Sequence, residues 1–330
     1  MPPFEPRVVS GMRPTGPLHL GHYFGALQNW LSLAAAGQHR CSFFSADWHA
    51  LTTGYRDTAN LAAYRQDMVA DWLAVGLDPA KVTLFSQAAI TEHAELATLF
   101  GMITPVPWLE RVPSYKEIRQ ELADRDLSTI GFLGYPLLQT ADIAIYLGTH
   151  VPVGEDQLAH LELSREVIRR FNSYYAEILP EPAGLVTKVR RLPGLDGRKM
   201  SKSYNNAIFL TESAEDVKKK VMPAPTDPAR VKRTDPGDPD KCNIFAYHKL
   251  FATADEEAEI AQGCRTAGIG CVDCKRRLLG KIEAFQAPIR DRKAEIMRQG
   301  TVQQVLTQGN AHARSEAQRT MQQVREAMAL

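Results

Sequence analysis

The strongest constraint on this chain is an alternation. Short runs with an apolar centre are separated by stretches with helical periodicity. Val8–Val9, "CSFFSA" from Cys41 and "KVTLFSQ" at 81–87 read as buried strands, with adjacent apolar residues on both faces. Between them, Leu20, Phe24, Leu27 and Leu31 share one helix face, and Leu61, Tyr64, Met68, Trp72 and Val75 share another within 57–76. Thr91 stands where an N-cap would open the helix of "TEHAELATLFGMI". The polar residues after "CSFFSA" read as a loop. Buried strands alternating with helices give a parallel sheet covered on both faces. Ligands bind such sheets at the carboxyl ends of the strands. The Pro- and Asp-rich stretch 223–241 has no periodicity and reads as an extended connector. Beyond it, "FAYHKLFATADEEAEIAQ", "KRRLLGKIEAFQAPIRDRKAEIMRQ" and 310–330 are helical in composition. The expectation is an α/β sheet domain over 1–205, followed by an α-helical domain over 206–330 whose last helix packs back on the first.

Composition sets the outer limits. The 330 residues suffice for one large domain or two moderate ones, and a net charge of +1 leaves any polyanion site to local clusters. No apolar run is long enough to span a bilayer, and "MPPFEPRVVSGM" lacks the core of a signal peptide. A cytoplasmic address is expected, where five cysteines stay reduced.

Four stretches carry chemistry. In "PTGPLHLGH" a turn leads from a strand into a helix start, where unpaired N–H groups suit phosphate. Gly21 lets a flat ring approach the backbone, and His19 and His22 can donate to phosphate oxygens; alone, such a pair is more often half-exposed surface. "GRKMSKS" at 197–203 gathers Lys199, Lys202 and two hydroxyls in a run with little to bury. Such cations can close over a developing pyrophosphate, although most basic loops are merely solvated. In "YPLLQTADIAIY", Tyr135, Gln139, Asp142 and Tyr146 fall on one helix face. Asp142 is a carboxylate in an apolar run, which is costly without a partner. Finally, Cys264, Cys271 and Cys274 in "CRTAGIGCVDC", with Cys242 upstream, can hold a tetrahedral metal or a cluster. Cys41 reads as a buried strand residue.

Together these stretches resemble a known family. "HLGH" and "KMSKS" are similar to the two signatures of class I aminoacyl-tRNA synthetases. "RPTGPLHLGHYFGAL", "ADWHALT", "LERVPSYKE", "VPVGEDQLAHLELSREVIRRFN" and "LPGLDGRKMSKS" resemble the bacterial tryptophanyl-tRNA synthetases, in order and from about Ser10 to the last helix. The resemblance implies a Rossmann-type catalytic domain, an α-helical tRNA-binding domain and a homodimer. It implies activation of L-tryptophan by ATP with Mg²⁺, then transfer to tRNA(Trp). It assigns ATP to Arg13, Thr15, Gly16, His19, Gly21, His22, Lys199, Met200, Ser201, Lys202 and Ser203, with His19, His22, Lys199 and Lys202 catalytic. Tryptophan would be held by His49, Tyr135, Gln139, Asp142 and Gln157, with Asp142 accepting the indole N–H. Glu155 and Asp156 would organise the pocket. The four cysteines resemble those of a branch that carries a [4Fe–4S] cluster, with zinc the alternative. Cations at Lys218–Lys220, Arg230, Lys232, Arg233 and Lys275–Arg277 would give the helical half a basic side for tRNA phosphates. A tyrosine-specific relative and a non-catalytic, cluster-bearing RNA-binding protein are the competing readings.

Overall fold

The computed structural model describes residues 4–112, 126–154, 157–186, 192–202 and 204–330. Ser203, Glu155, Asp156 and most of "LERVPSYKE" lie outside the described residues. The described chain forms two compact units: Met1–Gly16, Asn29–Lys188 and Gln299–Leu330 make the first, and Pro17–Gln28 with Val189–Arg298 the second.

The first unit is built on a parallel sheet of five strands, β1 (Arg7–Met12), β2 (Arg40–Ser45), β3 (Val82–Ser86), β4 (His150–Val153) and β5 (Ala183–Val186), in the order β3-β2-β1-β4-β5. Each chain excursion from strand to parallel strand needs a crossover, which accounts for the helical periodicity between the apolar runs. After α1 (Leu20–His22) and a π-helical turn (Tyr23–Leu27), α2 (Gln28–Ala36) returns to β2. The expected helix over this region thus exists, but one π turn interrupts it and shifts its faces: Leu20 and Leu27 are buried, while Phe24 and Leu31 are only partly so. Such turns recur at functional sites. On one face of the sheet Trp30 of α2 stacks on Phe43 at 4.4 Å and meets Trp72 of α4 (Leu61–Ala74) edge-on at 5.3 Å.

Two local expectations need correction. The polar stretch after β2 is not a loop but α3 (Asp47–Gly54). Asp47 in its first turn suits the positive helix end, and Gln87 Oε1 accepts the Trp48 N–H at 3.0 Å, satisfying one of the orphan donors there. Thr91 does occupy the cap position of α5 (Glu92–Ile103), but its backbone is already helical and its hydroxyl caps nothing.

The other face of the sheet carries the main core. Phe44 and Phe85 meet Leu96 and Phe100 of α5, Ala141 of α8 (Tyr135–Ala144), Val167 and Phe171 of α9 (Leu158–Tyr174), and Met321 of the last helix, α14 (Thr301–Met328). α6 (Val106–Glu110) and α7 (Ile130–Leu133) flank this layer in sequence. β3 is an edge strand, and α14 covers it: Asn310 Oδ1 accepts the Ser86 N–H at 2.9 Å. Covering an edge in this way removes a template for unwanted pairing. The approach is so close that a Cβ on Gly309 would collide with the Leu84 carbonyl.

The second unit holds α1, the π turn, the loop after 192, α10 (Ala214–Val221), α11 (Asn243–Phe251), α12 (Ala254–Arg265) and α13 (Cys271–Arg298). "FAYHKLFATADEEAEIAQ" is two helices rather than one. Thr253 accepts from the Glu256 N–H, and Glu256 returns a carboxylate to the Thr253 N–H, a reciprocal cap that starts α12 afresh. The connector 223–241 is irregular apart from a short turn at Pro239–Lys241.

Replacing a helical glycine with alanine ordinarily stabilises a helix by about 1 kcal/mol. Gly309→Ala should do the reverse, destabilising the protein by about 1–3 kcal/mol through overpacking against Leu84. Chemical denaturation checks the sign; a variant as stable as the parent or more so contradicts this packing.

Candidate active site

At the carboxyl edge of the sheet, one buried carboxylate draws four elements together. Asp142 of α8 is 2% exposed. Its Oδ2 meets His49 Nε2 of α3 at 2.8 Å; its Oδ1 accepts from Gln87 Nε2, just past β3, at 2.7 Å and faces His93 Nδ1 of α5 at 2.7 Å. Burial pushes the Asp142 carboxyl up, but the hydrogen bonds and charge of His49 and His93 outweigh it and leave the group below the ordinary aspartate range. It is therefore ionised at neutral pH. On its far side His93 Nε2 lies 2.7 Å from the Tyr146 hydroxyl. Burial, then the Asp142 charge, hold that phenol protonated well above its usual range.

The residues read from sequence take these places. His49 and Asp142 are in direct contact. Tyr135, at the start of α8, puts its hydroxyl 3.2 Å from His160 Nε2 of α9. Gln139 is half-buried on α8, and Gln157 is exposed at the start of α9. Sequence reasoning missed Gln87 and His93, both fully buried. The signal was there: two polar residues bracket the carboxyl end of an apolar strand, where only partnered groups can be buried.

α3 is fixed by a second buried carboxylate. Asp47 accepts Ser45 Oγ at 2.9 Å, Ser86 Oγ at 2.6 Å and Arg65 Nη1 at 3.3 Å, tying α3 to the ends of β2 and β3. Arg13 and Thr15 are exposed beyond β1, and Gly16, at φ 120°, occupies a conformation that side chains rarely adopt.

The two signature stretches meet inside the second unit. Segment 18–20 pairs with 208–210: the Leu20 N–H donates to Ile208 O at 2.9 Å and the Leu210 N–H to Leu18 O at 2.8 Å. The His19 and His22 rings stack at 3.7 Å. The His19 N–H donates to His22 Nδ1 at 3.1 Å, so the proton of a neutral His22 ring sits on Nε2. A Cβ on Gly21 would stand 2.9 Å from the His19 ring and 3.4 Å from Met200 Sδ, which places "HLGH" against the basic loop. Burial, and then the Lys202 charge, lower the His19 pKa to about 4.

Asn206, 3% exposed, holds that loop and was not singled out from sequence. Its Oδ1 accepts the Ser201 N–H at 2.8 Å, and its Nδ2 donates to Asp196 Oδ1 at 2.7 Å and Lys199 O at 3.1 Å. Met200 is buried, so the loop is anchored at its centre between Lys199 and Lys202.

The basic side expected on the helical half is partly spent internally. Lys275 is buried and donates to Met222 O and Ala224 O; Arg230 donates to Arg233 O and Ile269 O; Arg233 donates to Ala267 O; Lys220 pairs with Glu212 and Arg277 with Glu259. Arg230 and Arg233 thus tie the connector to the segment before α13, and Lys275 ties α13 to the start of the connector, while Lys218, Lys219, Lys232, Arg276 and Arg277 remain exposed. Cys242 and Cys274 pack on Phe245, Ile260 and Ala261. Among the described residues no group of three or more His, Cys, Asp or Glu side chains is drawn together tightly enough to hold a metal ion. The four thiols are neighbours nonetheless: burial, and then the charges of Cys242, Cys264 and Cys271, push Cys274 up to about 12. Cys41 is buried in β2.

Residues 4–286 match the family model for tRNA synthetases class I (W and Y). The chain is 51% identical over 326 residues to the tryptophan–tRNA ligase of Thermotoga maritima, covering 98% of this chain and 99% of that one. It is 44% identical over 396 residues to the enzyme of Aquifex aeolicus, covering 98% and 100%. Among solved structures, the tryptophanyl-tRNA synthetase of Campylobacter jejuni complexed with ADP and tryptophan superposes with a TM-score of 0.88 at 32% identity, covering 98% of this chain and 100% of that one.

His19 supplies a pH test. Its pKa in the folded chain, about 4, lies below the unfolded value of about 6.5. Its contribution to stability should be complete above about pH 6.5 and fade as pH falls towards 4, because the unfolded chain takes up the proton first. In NMR the ring should titrate near pH 4, and Lys202→Ala should raise that midpoint. A midpoint at 6.5 in the parent contradicts the burial.

Proposed function

The chain belongs to the class I tRNA synthetases of the tryptophan and tyrosine family and joins tryptophan to tRNA, and from that premise we propose how its own residues divide the reaction. The observation that carries the proposal is the buried, ionised Asp142 at the sheet edge. An indole N–H can only donate, and a fixed carboxylate can only accept. Asp142 reads that N–H, with His49, Tyr135, Gln139 and Gln157 around the amino acid.

Activation needs no general base. The substrate carboxylate oxygen attacks the α-phosphorus of ATP, the bond to the bridging oxygen breaks, and pyrophosphate leaves with its electron pair. The ribose hydroxyl of tRNA then displaces AMP from the carbonyl. What the protein supplies is charge placed where charge develops. Lys199 and Lys202 serve this end from the loop that Asn206 anchors. His19 and His22 offer ring donors, His19 uncharged at neutral pH, Arg13, Thr15, Gly16, Gly21, Met200, Ser201 and Ser203 complete the ATP site, and Mg²⁺ accompanies the nucleotide.

The helical region 206–330 binds tRNA(Trp), and the active form is a homodimer in the cytoplasm; among the described residues no helix is long and apolar enough to cross a membrane. Cys242, Cys264, Cys271 and Cys274 would hold a [4Fe–4S] cluster. Four thiols are the donor type it needs, and they would have to draw closer than the described residues show in order to bind it. A cluster there would tie the connector to α12 and α13, far in sequence from the adenylation motifs.

Pyrophosphate exchange with each of the twenty amino acids tests the substrate assignment; tryptophan alone should support it. Lys202→Ala should lower kcat of activation by about two to three orders of magnitude while tryptophan affinity hardly changes. Unchanged exchange kinetics would remove Lys202 from the mechanism. Protein purified without oxygen should be brown and bleach on reduction, and Cys271→Ser should impair tRNA charging more than exchange. Colourless protein with one zinc per chain would refute the cluster and leave the ligase intact.

A further inference from the structure

Asp142 carries more donors than one reading group needs, and they are unevenly shared. A carboxylate oxygen has room for about two hydrogen bonds. Oδ1 has both places taken, by Gln87 and His93, each at 2.7 Å. Oδ2 has one, from His49 at 2.8 Å. Among the described residues one acceptor place therefore remains, and it lies on Oδ2, beside His49, the one of the three partners with any exposure.

We infer that Gln87 and His93 are positioning residues that lock the Asp142 carboxylate in one orientation, so that Oδ2 is the single oxygen left to read the substrate. This rests on the reading of Asp142 given above and deepens it. The final torsion of an aspartate is broad and roughly two-fold, so an unrestrained carboxylate exchanges its oxygens freely. Here each partner is itself fixed. Gln87 is fully buried and its Oε1 accepts the Trp48 N–H, which leaves its NH₂ facing Asp142. His93 is fully buried, and because a carboxylate only accepts, the nitrogen facing it must carry a proton. Tyr146 completes the chain: its hydroxyl lies 2.7 Å from Nε2 and holds the far side of the ring, which keeps Nδ1 aimed at Asp142. A half turn only exchanges two equivalent oxygens, but any intermediate rotation would break the bonds to both buried partners and gain none, so one oxygen always stays held and the other always faces His49.

The consequence is selectivity for a donor. A reading oxygen whose position is fixed penalises a ligand lacking the N–H, since its vacant place then stays unpaired. A carboxylate free to turn can instead redirect towards His49 and tolerate the loss.

The test is pyrophosphate exchange with tryptophan and with its benzothiophene analogue, in which sulfur replaces the indole N–H. Gln87→Met and His93→Leu should each lower the preference for tryptophan about tenfold. The change should come through KM for tryptophan, with KM for ATP and kcat near the parent's. His93→Asn, which keeps a donor near the place of Nδ1, should restore most of the preference. A merely structural role would lower every parameter and would not be rescued by the smaller side chain. If both variants keep the parent's preference while Asp142→Ala loses it, the lock is wrong and Asp142 remains the reader. If Asp142→Ala also keeps it, both fall. The parent protein gives an independent reading should His93→Leu fail to fold: ¹⁵N NMR should show the His93 ring proton on Nδ1 and slow to exchange. A bare Nδ1 would overturn the lock.

Discussion

The structure depends on keeping one carboxylate charged where water does not reach it. Burying Asp142 without partners would cost several kcal/mol and would drive the group to neutrality. Donors from α3, from the residue after β3 and from α5 prevent this. His49 comes from the connection between β2 and β3, and Gln87 and His93 from that between β3 and β4, so the carboxylate is satisfied only when both connections are in place. The same requirement makes the site specific: removing one partner leaves a buried charge short of a bond, whereas adding a ligand donor completes it.

A comparable economy governs the nucleotide side. The basic loop has almost no apolar surface of its own, yet it must hold cations in place. Asn206 does this with one amide that reaches Ser201, Lys199 and Asp196, and Met200 supplies the only apolar anchor. Backbone bonds between 18–20 and 208–210 bring the histidine stretch to the same place. Charge is thus presented by a scaffold of amide and backbone hydrogen bonds. His19 stays neutral beside Lys202 for that reason: a second cation in a buried position would be opposed by both burial and repulsion.

Much of this was legible in the sequence, for physical reasons that also mark its limits. β1, β2 and β3 were visible because strands buried on both faces leave runs with an apolar centre. Asp142 stood out as a charge in such a run. Gln87 and His93 did not, because their shared partner Asp142 is distant in sequence, and Asn206 did not, because its bonds are made within a loop that has no periodicity. The helix at 47–54 looked like a loop because its cap is supplied by Gln87, some forty residues on. The π turn at Tyr23–Leu27 breaks the period that pattern reading assumes. The division of the chain was legible in part: the return of the last helix to the first unit was expected, but that 17–28 belongs with 189–298 was not, because compact units do not follow the linear order. The cations of the helical half looked like a surface, and burial turned several of them into internal braces.

The central claim is geometric, and a crystal structure with tryptophan bound tests it most directly. The indole nitrogen should lie within hydrogen-bond reach of Asp142 Oδ2, with Oδ1 still held by Gln87 and His93. An indole nitrogen paired elsewhere, or a carboxylate turned so that neither oxygen is held by Gln87 and His93, would contradict the account.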